Sequence, residues 1–180
     1  MIAISNDLGL APVRIGDHEK LSRLMRRIYP PVYQHLWKDG GEWYVKHLYS
    51  KEHLEKEITD PNSRYYFVDY QNETVGILRL LVHAALPGIA GTQATQLQRI
   101  YLDPVVQGKG LGKALLQWCA DRFCGDGKSP LWLEVMDTQK AAIRFYEKAG
   151  FHIVGALTFP SELMFENYRG MYIMCQRPLE

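Results

Sequence analysis

The chain has little cysteine, almost no net charge and no long hydrophobic run, and each shortage removes a class of explanation. Its three cysteines, Cys119, Cys124 and Cys175, show neither CxxC spacing nor an even count. That argues against a disulfide framework and a zinc site, and it fits a reducing compartment, so the expected location is cytoplasmic. The six histidines are scattered; the nearest pair, His47 and His53, is not at the one-face spacing of helical metal ligands, and no metal is expected. A formal net charge of +1 gives no general pull toward nucleic acid or an anionic membrane. No stretch approaches the length of a membrane span, and no basic region leads into an apolar run at the N-terminus, so neither a span nor a signal peptide is expected. The basic cluster Arg23, Arg26 and Arg27 alternates with Leu24 and Met25, as a solvated helix face does.

There is no internal repeat and no low-complexity linker, and 180 residues suffice for a full core, so one domain over 1–180 is expected. Val13-Arg14-Ile15 is a short strand candidate. Asp17 reads as the cap of a helix whose apolar positions Leu21, Leu24, Met25 and Ile28 follow the helical period, with Pro30-Pro31 stopping it. Helices are expected over Glu42 to Leu48 and Lys51 to Thr59. Tyr65 to Tyr70 and Thr74 to Val82 read as strands joined by a turn at Gln71-Asn72-Glu73. Pro87-Gly88 and Gly91 mark a loop, and Gln96 to Leu102 is the next strand. Leu111, Ala114, Leu115, Trp118, Cys119 and Phe123 form the apolar stripe of a helix. A strand over Leu131 to Val135, a helix over Thr138 to Lys148, and strands over Phe151 to Leu157 and Met171 to Gln176 complete the order. This is an α/β chain with a mixed central sheet of about seven strands flanked by helices.

The most specific local feature is Gln107-Gly108-Lys109-Gly110-Leu111-Gly112-Lys113, between a strand and the best helix. The first turn of a helix leaves backbone N–H groups unpaired and carries partial positive charge, and glycine allows positive φ and close ligand approach. Such a turn suits a phosphorylated cofactor. The P-loop is excluded because Gly112-Lys113 is followed by Ala114, and the GxGxxG fingerprint because Lys113 stands where its third glycine belongs. What remains is Gln-x-x-Gly-x-Gly, formed by Gln107, Gly110 and Gly112 after Leu102-Asp103-Pro104.

That pattern resembles the GCN5-related N-acetyltransferase (GNAT) superfamily, as does Ala142-Ile143-Arg144-Phe145-Tyr146-Glu147-Lys148-Ala149-Gly150-Phe151, which follows A-x-x-x-Y-x-x-x-G-F. The resemblance runs well from Tyr65 to Leu157 and loosely at both ends. It implies a GNAT-like fold and transfer of an acetyl group from acetyl-CoA to a primary amine. Backbone groups of Ile100, Tyr101 and Leu102 would run beside the pantetheine arm. Amides of Gln107, Gly108, Lys109, Gly110, Leu111, Gly112 and Lys113 would hold the pyrophosphate, and Tyr146 would lie near the sulfur. The family often has Asn where this chain has Gln139, a longer amide that could still reach the cofactor. The expected partners are a small-molecule or peptide amine and no nucleic acid or membrane, with a homodimer allowed.

Acetyl transfer needs an acid for the departing thiolate and a base for the ammonium. The resemblance makes Tyr146 the acid; packed beside Phe145 and Ala149, it also suits a core role. Glu134, the one charged residue of Leu131-Trp132-Leu133-Glu134-Val135, is the candidate base, as in the Leu-Glu-Val strand of N-terminal protein acetyltransferases. It equally suits an outward-facing position on the strand. Another subset of the family has a glutamate on the preceding strand, where this chain carries Gln96 and Gln98, which cannot take a proton at neutral pH. For the acceptor, Trp37, Trp43, Tyr44 and Tyr49 offer aromatic surface, with Asp39 and Glu42 as cation partners. The arrangement resembles polyamine acetyltransferases, so a polyamine or related small amine is expected ahead of a protein N-terminus. A non-catalytic acyl-CoA-binding module is the alternative of another class.

Overall fold

A computed structural model describes residues 1–88, 93–125 and 129–176; Gly91, placed above in a loop, lies outside them. Eight strands form one sheet: β1 (Ile2–Ala3), β2 (Leu8–Pro12), β3 (Ser63–Tyr70), β4 (Glu73–Ala84), β5 (Ala94–Leu102), β6 (Leu131–Met136), β7 (Phe151–Thr158) and β8 (Gly170–Gln176). Their spatial order is β1-β2-β3-β4-β5-β6-β8-β7. The pairing is antiparallel except between β5 and β6, which run parallel. Among the described residues six α-helices flank the sheet: α1 (His18–Ile28), α2 (Pro30–Tyr33), α3 (Glu42–Leu48), α4 (Lys51–Thr59), α5 (Leu111–Phe123) and α6 (Lys140–Lys148).

The strands alternate between two cores. On one face, Val68, Leu78, Leu80, Leu97, Leu131, Leu133 and Val135 pack with Leu111, Leu115 and Cys119 of α5 and Ile143 of α6. On the other, Tyr65, Phe67 and Ile77 meet Leu21, Leu24, Met25 and Ile28 of α1, Val45 of α3 and Leu54 of α4. All four apolar positions read from the α1 period are buried, and each contributes roughly 1.5–3 kcal/mol when fully removed from water.

Two expectations at the N-terminal end are corrected and one is extended. Val13-Arg14-Ile15 is not a strand: the strand lies earlier, at β2, and Ile15–Asp17 forms a 3-10 turn. Asp17 does not cap α1 with its side chain; its Oδ2 accepts from the Arg14 amide at 2.9 Å and closes the preceding turn. Pro30 and Pro31 end α1 and also start α2, because proline fits the first helical turn, where no N–H partner is needed. The turn after β3 holds Gln71 and Asn72 at φ 51° and 66°, a left-handed pair suited to a tight hairpin.

Candidate active site

The parallel pair β5–β6 opens the site. Their ladder is recorded at Thr95–Leu131 and Gln96–Trp132 alone, although both strands continue for several residues. Beyond Gln96 and Trp132 the strands splay, leaving a wedge at their carboxyl ends, where ligands of parallel sheets bind. A β-bulge in β5 accompanies the splay: Arg79 faces Arg99 while Leu80 faces Leu97, so Gln98 is the extra residue. A cavity of about 140 Å³ fills the wedge, and Ile100, Tyr101, Glu134, Gln139 and Tyr146 all line it.

The glycine turn lies after β5. Asp103 caps a single 3-10 turn, Pro104–Val106, with its Oδ1 accepting from the Val105 amide at 3.1 Å. Gly108 and Gly110 both take φ 79°, and Gly110 is the left-handed residue that starts the 13-residue helix α5. The Gln107 amide donates to Pro104 O at 3.0 Å and the Lys109 amide to Val106 O at 3.4 Å. Two of the amides expected to face phosphate are therefore engaged within the turn. Those of Gly108, Gly110, Leu111, Gly112 and Lys113 have no backbone partner among the described residues, so the turn and first helical turn fit a pyrophosphate. Gly112 serves a second purpose, since a Cβ there would come 3.1 Å from Cζ of Phe145, the neighbour of Tyr146.

Tyr146 is half-buried, on α6 against the Phe151 and Phe145 rings. Desolvation, helped by the nearby Tyr33 phenol, pushes its pKa upward, so it stays protonated and able to donate at neutral pH. Glu134 sits between Leu133 and Val135, both buried with α5 and α6, so strand alternation turns it to the opposite face. It is exposed, but the space it faces is the cavity, and desolvation there raises its carboxyl pKa.

The acceptor side departs from expectation. Trp37 and Tyr44 line the cavity; Asp39, Glu42, Trp43 and Tyr49 do not. Asp39 accepts from the amides of Gly41 (2.9 Å) and Trp43 (2.8 Å), tying down the start of α3. Glu42 borders a separate surface cleft with Arg26 and Lys46. Trp43 is exposed and stacks on His47, while Tyr49 is fully buried in the core. The wall is completed by Tyr29 and Tyr33, which the sequence did not single out, packed against Tyr44 and Tyr101. Tyr29 stacks on Tyr33 and Tyr44 at 4.8 and 4.7 Å, and the Tyr101 ring stands edge-on to Tyr29 and Tyr33. Tyr29 follows α1, Tyr33 ends α2 and Tyr44 lies in α3, so three separate helical segments bring these rings together.

Two charged residues line the cavity, Glu134 and Arg99. Arg99 is already paired, its two terminal nitrogens lying 2.9 and 2.7 Å from the oxygens of buried Glu57. Glu57 also meets Arg79 at 3.1 Å and His53 at 3.2 Å, so α4 is anchored to β4 and β5 by a buried ionic cluster.

The chain that builds this splayed parallel pair, glycine-started helix and following tyrosine matches the acetyltransferase (GNAT) family over residues 23–151. The chain belongs to that family. An N-acetyltransferase from the pepI 3′ region of Lactobacillus delbrueckii subsp. lactis is 31% identical over 107 residues, 59% of this chain. The [ribosomal protein bS18]-alanine N-acetyltransferase of Escherichia coli K12 is 35% identical over 96 residues, 51% of this chain. The chain spans 62% and 65% of the length of these two relatives. Among solved structures, the PaiA N-acetyltransferase of Thermoplasma acidophilum in complex with coenzyme A superposes with a TM-score of 0.69 at 22% identity, covering 94% of this chain and 98% of that one. At that identity the likeness is one of fold.

Proposed function

We propose that this protein is an N-acetyltransferase that moves the acetyl group of acetyl-CoA to a primary amine carried on a compact, apolar body. The observation that carries the reading is the cavity in the β5–β6 wedge, which has a protonated phenol, Tyr146, and a carboxylate, Glu134, in one lining, on a sheet whose β5 runs on into a turn with unpaired amides. Acetyl-CoA supplies an acetyl thioester, whose C–S bond is exchanged for the new C–N bond. The unpaired amides of Gly108, Gly110, Leu111, Gly112 and Lys113 would hold the pyrophosphate, and Ile100, Tyr101 and Leu102 would offer backbone along the wedge. Gln139, in the cavity wall, adds an amide toward the cofactor. Glu134 Oε takes the proton of the attacking amine, directly or through water, and Tyr146 Oη gives its proton to the departing sulfur.

The acceptor class follows from the lining. Aromatic faces attract an ammonium and favour an apolar body, and Glu134 is the one carboxylate among the lining residues. A long polycation would need further carboxylates for its distal charges, and Asp39 is engaged in capping α3 while Glu42 borders a different cleft. A second reading, an alanine-type protein N-terminus, is supported by the relative that acetylates ribosomal protein bS18 and by the Leu133-Glu134-Val135 strand.

The test is release of free CoA thiol from acetyl-CoA with 2-phenylethylamine, spermidine and an alanine-initiated peptide. Highest kcat/KM with 2-phenylethylamine is expected. Preference for the peptide would favour the second reading, preference for spermidine would restore the polyamine, and no amine-dependent release with any of them would leave an acyl-CoA-binding module.

A further inference from the structure

The cavity holds more tyrosine than the transfer step uses, and the hydrogen bonds sort these residues. Tyr29 Oη accepts from Trp37 Nε1 at 2.9 Å, and the hydroxyls of Tyr44 and Tyr101 pair with each other at 3.1 Å. The Tyr33 and Tyr146 hydroxyls have no such partner among the described residues. Gln98, the bulged residue, buries its Oε1 in the packing without a donor. Tyr146 is assigned to the sulfur, which leaves Tyr33 as the cavity phenol with no task.

Tyr33 is held in place without its hydroxyl. It ends the short helix α2, its ring lies 4.8 Å from Tyr29 in a stack and 5.4 Å from Tyr101 at 68°, and both contacts use the ring alone. Burial and the neighbouring Tyr44 push its pKa up to about 12, so the hydroxyl is neutral at physiological pH and can accept or donate one hydrogen bond. Tyr33 and Tyr146 line the same cavity.

We infer that Tyr33 is a positioning residue that holds the attacking amine and makes the site selective for primary over secondary amines. The inference rests on the N-acetyltransferase reading given above. A neutral primary amine attacks the thioester carbonyl carbon with its lone pair and has two N–H groups left. One proton passes to Glu134 as the C–N bond forms and the C–S bond breaks, with Tyr146 protonating the sulfur. The second N–H points to Tyr33 Oη and fixes the direction of the lone pair. An N-methyl amine has one N–H, which the base requires, so Tyr33 would face a methyl group and lose its partner. Polar partners left unpaired in a closed site are the usual source of such discrimination.

The experiment uses the full chain, Tyr33→Phe, 2-phenylethylamine and its N-methyl derivative. Calorimetry on CoA-saturated protein should show the primary amine binding roughly two- to twelvefold more weakly to Tyr33→Phe than to wild type, the range for one neutral hydrogen bond, with CoA affinity unchanged. In the transfer assay the primary-to-secondary ratio of kcat/KM should fall by a similar factor, a change that a purely structural role would not produce. Unchanged amine affinity and an unchanged ratio, with transfer still dependent on Tyr146, would overturn the inference alone. No binding or transfer of either amine would overturn it together with the compact-amine reading.

Discussion

At the scale of single residues, Glu134 couples stability to chemistry. Desolvation raises its folded-state pKa, so between the ordinary carboxylate range and the raised value the folded chain binds more protons than the unfolded one. Stability therefore falls as pH rises through that window. The same window bounds the acidic limb of kcat/KM if Glu134 takes the amine proton, because the base works only when ionised. Glu134→Gln should flatten that limb, lower the rate and remove the loss of stability across the window, as read by pH-rate profiles and by melts at several pH values. A variant with the wild-type rate and pH profile would make Glu134 an outward-facing strand residue. Sequence could nominate this side chain because a lone charge in an apolar strand is unusual. It could not say that the solvent-facing side of that strand is a cavity.

At the scale of elements, the two glycines of the turn separate by what surrounds them. Gly110 stands in the left-handed region with open space around its Cβ position. Gly110→Ala should cost roughly 1–2 kcal/mol of local strain and weaken CoA binding while leaving α6 in place. Gly112→Val would drive into Phe145 and should disturb both CoA affinity and kcat through the adjacent Tyr146. Equal effects of the two substitutions on affinity, with kcat intact in both, would contradict this division. The Glu57 cluster makes a second prediction. Glu57→Ala leaves the buried Arg79 and Arg99 without their carboxylate and should destabilise the fold by about 3–5 kcal/mol in denaturant melts; a change below 1 kcal/mol would show that the arginines find other partners. Helices were legible: α1 and α5 from their apolar periods, α3 and α4 as segments set between breakers, both falling on the residues predicted. β2 was not, because Gly9 and Pro12 depress strand propensity and its pairing comes from distant Tyr66 to Tyr70. The aromatic wall was half legible for a related reason. Nearness in sequence suggested that Asp39 and Glu42 join Trp37, yet helix capping claims one and helix direction turns away the other.

At the scale of the whole molecule, one sheet carries two cores, and the wedge opens between its only parallel pair of strands among the described residues. A ligand seated there touches β5, β6 and α6 at once, so CoA should raise the thermal midpoint of the chain. Saturation at a hundredfold excess over Kd corresponds to about 2.7 kcal/mol, and no shift at millimolar CoA would deny the cofactor site. No helix among the described residues is long and apolar enough to cross a membrane. The most direct test of the central claim, acetyl transfer in this wedge with Tyr146 as acid, is amine-dependent thiol release from acetyl-CoA by wild type and Tyr146→Phe, with CoA affinity measured on both. The predicted result is a fall in kcat of roughly 10²–10⁴-fold at nearly constant affinity, the range for a positioned acid. Near-normal turnover by Tyr146→Phe would contradict the account and return that tyrosine to the packing of α6.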